Sequence, residues 1–359
     1  MTERAAPRPK TVNRRRAAPR PPQLLPDRLL DGIAAVSRPP RAGWLVVARK
    51  ELADHLLSAR FIVLLAILAL AVAVPLYLAS ARIRELAPQA SGDPALFLAL
   101  FIVGSQDYQI LRLDILVSFL APLLGIAFGF DSVNGERSEG TLPRLLAQPI
   151  HRDDVINGKF AAGLVVIALV FLALTALVAG FGIFRLGVIP TSSEILRIVA
   201  WLVVTIIYVG FWLAFGTLLS VVFRRAATSA LVGVGSWLGI TFFGTLITSL
   251  VAGVLAPLGA NPSVDEALRN AQLSDFLGRL LPSTQYGEVT AVILNPSQTH
   301  VGVPVTIGQI QQAQQQIPTF FSLDQSLLLV WPQVVALLAL TVVLFAGAYV
   351  LFMRQEVRA

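Results

Sequence analysis

The sequence predicts an all-α, polytopic membrane protein with six transmembrane helices, cytoplasmic N- and C-termini, an amphipathic N-terminal helix and a small helical extracytoplasmic cap. Three observations carry this prediction. Hydrophobic residues make up 55% of the 359 positions and charged residues only 14%, whereas soluble domains carry about 25% charged residues. Most of the surface therefore faces something other than water. Six apolar runs, 61–80, 113–130, 160–184, 198–223, 228–255 and 327–352, reach or approach the ~20 residues that a helix needs to cross a bilayer. Finally, Lys and Arg are distributed unevenly between the segments that flank these runs.

Residues 1–43 come first. Nine of the 28 Lys and Arg residues lie in the first 40 positions, where Arg14, Arg15 and Arg16 sit near Pro19, Pro21 and Pro22. So few apolar side chains cannot bury a core, and the composition predicts a disordered cytoplasmic tail held near anionic membrane lipid, not a nucleic-acid partner. The apolar stretch at Phe61 comes too late for a secretory signal. Residues 44–60 predict an amphipathic helix in the headgroup plane. Leu45, Ala48, Leu52, Leu56 and Ala59 form one stripe, Lys50, Asp54 and Ser58 lie opposite, Trp44 opens it and Arg60 closes it.

The spans come next, with Pro75, Pro122 and Pro332 as expected kinks. A modest outer loop covers 81–111, and Arg224-Arg225 divides spans four and five into a tight hairpin. The outer segment 256–326 predicts the cap: Ser263 N-caps a helix carrying Val264, Leu268 and Ala271, and Pro282 ends the stretch after it. The stretch Gln309 to Gln316 reads equally as helix or polar loop. With the N-terminus inside, 21 of the 28 Lys and Arg residues fall on the cytoplasmic side, as the positive-inside rule requires.

Several chemistries are excluded. There is no cysteine, hence no disulfide, iron–sulfur cluster or thiolate metal site. His55, His151 and His300 lack ligand spacing, so no metal site is expected. No phosphate loop is present: at Gly158-Lys159, Asp153 replaces the first glycine and Phe160 the Ser/Thr. No catalytic or cofactor-binding residues are assigned. Asp114, Asp131, Arg112 and Arg185 all fall at span ends. The expected lack of buried carboxylates argues against an ion-coupled carrier. Gly125 with Gly129, and Gly235 with Gly239, permit close helix contact within the bundle or across a dimer. Ser118, Thr205, Tyr208, Thr241, Thr245 and Ser249 are neutral polar residues that serve either a translocation pathway or interhelical hydrogen bonds.

The most informative segment is the cytoplasmic loop 131–159, DSVNGERSEGTLPRLLAQPIHRDDVINGK. Thr141 can cap a short helix with Leu142, Leu145 and Leu146 on one face beside Arg144, and Pro149 stops it. Asp153 or Asp154 then caps the third span. Such a ridge either lies on the membrane or inserts into a partner's groove.

Arg49-Lys50-Glu51-Leu52, Asp131, Gly135-Glu136-Arg137, Gly140-Thr141-Leu142, Leu145-Leu146, Pro149-Ile150, Arg152 and Gly158-Lys159-Phe160 together resemble the permease subunits of type-2 ATP-binding cassette (ABC) exporters. The closing Arg354-Gln355-Glu356-Val357-Arg358 is similar to that family's C-terminal end. The resemblance covers residues 44–359 and is nearest the branch containing the permease of nitrous-oxide reductase maturation. It implies a prokaryotic cell (inner) membrane protein, a half-transporter that pairs with itself or a homologous permease. Two copies of a separate ABC ATPase would bind the ATP and Mg. By the same resemblance 44–60, with Trp44, Arg49, Lys50, Glu51 and Leu52, is a connecting helix. Glu136, Arg137, Gly140, Thr141, Leu142, Arg144, Leu145, Leu146, Pro149 and Arg152 form the coupling segment that docks on the ATPase. The sequence departs from the family pattern in its basic tail and long 256–326 segment. The alternative is a mechanotransmitter or membrane anchor that acts on an extracytoplasmic protein and moves no solute.

Overall fold

The computed structural model describes residues 43–86, 96–102, 112–141, 150–259, 261–298, 300–301 and 320–355, all within the compact unit Pro40–Ala359. The basic tail, Leu142, Arg144, Leu145, Leu146, Pro149, the Gln309–Gln316 stretch and Glu356–Arg358 lie outside the described residues.

Among the described residues every regular element is helical. In chain order they are α1 Gly43–Leu56, α2 Ala59–Leu86, α3 Ala99–Ile102, α4 Leu113–Gly129, α5 Asn134–Ser138, α6 Arg152–Phe181 continued by a π-helical turn Gly182–Leu186, α7 Ser192–Val222, α8 Ala226–Leu255, α9 Val264–Gly278, α10 Pro282–Leu294 and α11 Leu323–Arg354. Six of these (α2, α4, α6, α7, α8 and α11) are long and apolar enough to cross a membrane. In hydrocarbon only a helix or closed barrel pairs all its backbone groups, so long Leu/Val/Ala-rich runs become helices. The helices generally outrun their apolar cores, because backbone hydrogen bonding continues into the headgroup layers until a cap stops it. Thr191 and Glu194 cap α7 reciprocally, and Ser263 caps α9 by accepting from Glu266 N at 3.3 Å. Pro75, Pro122 and Pro332 all lie inside helices.

The centre of the bundle is α7, which packs against α4, α6, α10 and α11. Contact with α4 is made through glycine. A Cβ at Gly125 would lie 2.6 Å from Val209 O, and one at Gly129 2.7 Å from Leu213 O. This pair therefore serves packing within the chain. Gly235 and Gly239 on α8 instead face open space.

Four features differ from the sequence reading. First, the helix expected over 44–60 is two helices. Ser58 Oγ donates to His55 O at 2.7 Å and accepts from Phe61 N at 3.1 Å, ending α1 and starting α2, so Arg60 belongs to the helix that carries the first span. Second, the buried face of α1 is Gly43, Val47 and Glu51, while Trp44, Leu45 and Val46 are exposed. The stripe is displaced because α1 packs on α6, and a protein neighbour rather than lipid alone selects the buried face.

Third, Pro282 opens a helix at its first turn instead of ending one, a position where its missing N–H is harmless. In α10, Tyr286, Val289, Val292, Ile293 and Leu294 are fully buried against the bundle. Tyr286 stacks on Tyr208, at the midpoint of α7, with ring centroids 4.3 Å apart. Leu281 lies over Gly244 of α8, and Asn270 Nδ2 donates to Ala256 O at 2.8 Å at the end of α8. Helix α9 thus lies along α8 with no buried residue, and α10 runs back through the bundle to its distal end, the end away from α1, so that the pair forms a re-entrant hairpin.

Fourth, ionisable groups are buried after all. Glu288 of α10 meets Arg279 Nε at 3.1 Å and accepts from Gln333 Nε2 at 2.9 Å. Arg197 donates to Ile293 O at 2.9 Å, to Ser326 Oγ at 3.2 Å and to Phe321 O. Glu194 accepts from Phe97 N at 2.7 Å, and buried Asp114 holds Arg112 in a fork of 3.0 and 2.7 Å. Each group is engaged by a counter-charge or by backbone, which is how charge survives in a low dielectric.

Replacing Gly129 with Leu is expected to push α4 off α7 and destabilise the protein by about 1–3 kcal/mol, read as a lower thermal midpoint of the purified protein. Gly253→Ala, where nothing lies within 4 Å, is expected to leave that midpoint unchanged.

Candidate functional site

At the end of the bundle that carries α1, here the proximal end, three elements converge. Asp154, in the first turn of α6, accepts from His151 N at 3.1 Å and from Trp44 N at 3.0 Å. One carboxylate therefore serves the N-termini of both α6 and α1, where helix dipoles favour negative charge. Of the two expected caps of the third span, Asp154 fills the role. Farther along the contact, Gly158 lets α1 approach. A Cβ there would lie 2.6 Å from Val47 Cβ and 2.7 Å from Trp44 O.

This approach brings Lys159 under α1. Its Nζ lies 2.9 Å from Glu51 Oε1 of α1 and 3.0 Å from Glu136 Oε1 of α5, and its side chain is only 6% exposed. Thr141 Oγ1 donates to Glu136 Oε2 at 2.8 Å. Gly140, at φ 69°, lets the chain fold back so that this contact forms. Lys50 adds contacts to Glu51 at 3.0 Å, Asp54 at 3.1 Å and Glu136 at 3.9 Å. Burial disfavours its charge, but Glu51 and Asp54 outweigh that and raise its pKa. The sign is that of a raised cation. Its contribution is complete below the ordinary lysine value of about 10.4 and is lost only as pH rises through the higher folded value. Lys50 is thus a constant charge across the neutral range.

A lysine held between two carboxylates joins α1, α5 and α6 into one unit. Around it opens a cavity of about 470 Å³, lined by Lys50, Asp54, His55, Asp131, Glu139 and Thr141 among others. Of the connecting-helix residues, Lys50 and Glu51 enter this network, Leu52 packs on the core and Arg49 and Trp44 face outward. Of the described coupling residues, Glu136 and Thr141 join the network. Arg137 and Arg152 turn instead to Gln355.

The six candidate pathway residues divide. Ser118 and Thr241 share a second cavity of about 240 Å³ with Asp114, Phe119, Tyr286 and Thr290. Thr205 is consumed by bonds to Trp201 O and Tyr286 OH at 2.8 and 2.9 Å, and Tyr208 OH donates to Ser118 O at 3.1 Å. Thr245 and Ser249 sit on the exposed face of α8, outside the cavity.

Lys159 and Gln355 both stand in motifs that carry the family resemblance, yet neither was given a role from the sequence. For Lys159 a further signal existed: a lysine at the head of an apolar span needs a carboxylate within reach.

Removing the Lys159 charge is expected to be severe, because Glu51 and the half-buried Glu136 would be left facing each other with only the exposed Lys50 beside them. Lys159→Ala should destabilise the protein by about 3 kcal/mol or more. Lys159→Met combined with Glu51→Gln and Glu136→Gln should recover most of that loss in thermal unfolding.

Comparison with known proteins adds a family. The model of the ABC-2 family transporter protein matches residues 45–357. The probable ABC transporter permease protein NosY of Pseudomonas aeruginosa is 30% identical over 151 residues, 42% of this chain and 46% of that protein. The probable ABC transporter permease protein NosY of Stutzerimonas stutzeri is 28% identical over 246 residues, 67% of this chain and 78% of that protein. The chain thus spans under half of the first relative and more than three quarters of the second.

Proposed function

The chain belongs to the ABC-2 transporter family, and from that premise we propose that it is the permease of an ATP-driven exporter whose energy comes from a separate ATPase. As a family member with six apolar helices, it is a multi-pass ABC transporter membrane subunit of the prokaryotic inner membrane.

The observation that carries the proposal is the three-way link at Lys159. The 131–159 loop docks on the ATPase, and Glu136, at the base of that loop, is tied through Lys159 to the connecting helix and the third span. Movement of the loop by the ATPase therefore moves α1 and α6 with it. Two ATPase copies bind ATP and Mg, and the permease forms a dimer. The spans α2, α8 and α11 are mostly unburied within one chain, which leaves faces for lipid and for pairing with a second permease. On this reading the cavity holding Ser118 and Thr241 lies along the pathway.

A second reading has its own support. The 240 Å³ distal cavity is smaller than the ~300–1,000 Å³ usual for ligand pockets, and Thr205 and Tyr208 are spent on packing. A mechanotransmitter that works on an extracytoplasmic protein needs no larger pathway. ATP-dependent solute movement in proteoliposomes supports export. ATP turnover stimulated only by an outer partner supports the second reading.

Both readings predict that an ATPase co-purifies with the chain. Leu145→Asp with Leu146→Asp should weaken that association at least about tenfold, measured by titrating the purified ATPase. Full retention of ATPase binding and stimulated hydrolysis would sink the assignment of the loop.

A further inference from the structure

A second junction lies beside the Lys159 link, at the end of the last span. Gln355 follows α11 directly and makes three interactions with three parts of the chain. Its Oε1 accepts from Arg137 of α5, its main-chain carbonyl accepts from Arg152 of α6 at 3.0 Å, and its Nε2 donates to Val221 O of α7 at 2.7 Å. Arg137 and Arg152 flank the stretch 142–149 on its two sides. Both ends of the loop proposed to dock the ATPase are therefore fastened to one residue.

The chemistry requires an amide. A carboxylate would accept from Arg137 but offer nothing to the Val221 carbonyl, one of those left unpaired at a helix C-terminus. A lysine would donate and not accept. Glutamine does both without adding charge. Beneath it lies a small separate core of Val133, Val155, Ile156, Val221, Ala348 and Phe352. Because this core draws on the loop and on α6, α7 and α11, a shift of the loop is not absorbed by loose packing. Ser220 Oγ of α7 reinforces the junction, accepting from Val133 N at 2.9 Å and Asn134 N at 3.1 Å. At the distal end, α7 and α11 are joined again where Arg197 meets Ser326 and the last turn of the re-entrant α10.

We propose that Gln355 is the positioning residue that passes movement of the 131–159 loop to the fourth and sixth spans, and through them to the re-entrant hairpin. The proposal rests on the reading that this loop docks an ATPase. Lys159 connects the loop to α1 and α6, and Gln355 connects it to α7 and α11.

The sequence holds no cysteine, so spin labels can be placed at Phe184→Cys and Leu328→Cys, both exposed near the distal ends of α6 and α11. Their separation is measured by double electron–electron resonance in the full complex in nanodiscs, nucleotide-free and trapped with ATP and vanadate. The wild-type distance is expected to shift on trapping. Gln355→Ala should keep the ATPase bound and hydrolysis within about twofold, but reduce the shift to less than about half. Gln355→Glu, which keeps an acceptor for Arg137 but has no donor for Val221, should lose the shift as well. An unchanged shift in Gln355→Ala overturns the proposal. So does a wild-type complex with no shift, or loss of the ATPase from both variants, which would make Gln355 a docking or folding residue. If no ATPase accompanies the wild-type chain, the ABC reading itself fails, a result separate from the others.

Discussion

Inside hydrocarbon no water is available to take up a polar group, so each backbone amide and each charge of this chain must be answered from within the protein. It turns the apolar runs into helices. It also determines where charge is placed. Arg197 lies among carbonyls at the end of α10, Glu288 lies between Arg279 and Gln333, and Lys159 lies between two carboxylates. Each group was brought to its partners by packing.

The two ends of the bundle use this constraint differently. At the distal end it fixes the re-entrant hairpin. Tyr286 stacks on Tyr208 and bonds Thr205, and Arg197 draws α7, α10 and α11 together. At the proximal end it fixes the loop between the second and third spans. Lys159 connects that loop to α1 and α6, while Gln355 connects it to α7 and α11. The glycines at 125 and 129 close the centre by bringing α4 against the backbone of α7. A bundle clamped in this way is suited to moving as large pieces rather than bending.

Much of this was legible in the sequence. Span number and sequence position come from hydropathy, because bilayer thickness sets a length that few soluble segments match. Ser263 announces a helix start, since a cap is a local interaction over three residues. The loop residues Glu136, Arg137, Thr141 and Arg152 stood out as a motif. Other features were not legible. Pro282 is compatible with either the end or the start of a helix, and only the burial of Tyr286 and Val289 reveals a helix returning into the bundle. Hydropathy alone turns the apolar stripe of α1 toward lipid, yet Gly158 supplies a protein surface that selects Gly43, Val47 and Glu51 instead.

The all-helical class, the six spans and the loop whose motifs carry the permease resemblance can all be read along the chain. These are properties of composition, length and local pattern, and no distant contact is needed to read them. Which charges meet is a matter of packing. Glu51, Glu136 and Lys159 are far apart along the chain, as are Arg137, Val221 and Gln355, and no spacing rule relates them. They meet because helix packing brings α1, α5, α6, α7 and α11 together at one end of the bundle. A buried charge or amide must then find its partner among whatever packing supplies.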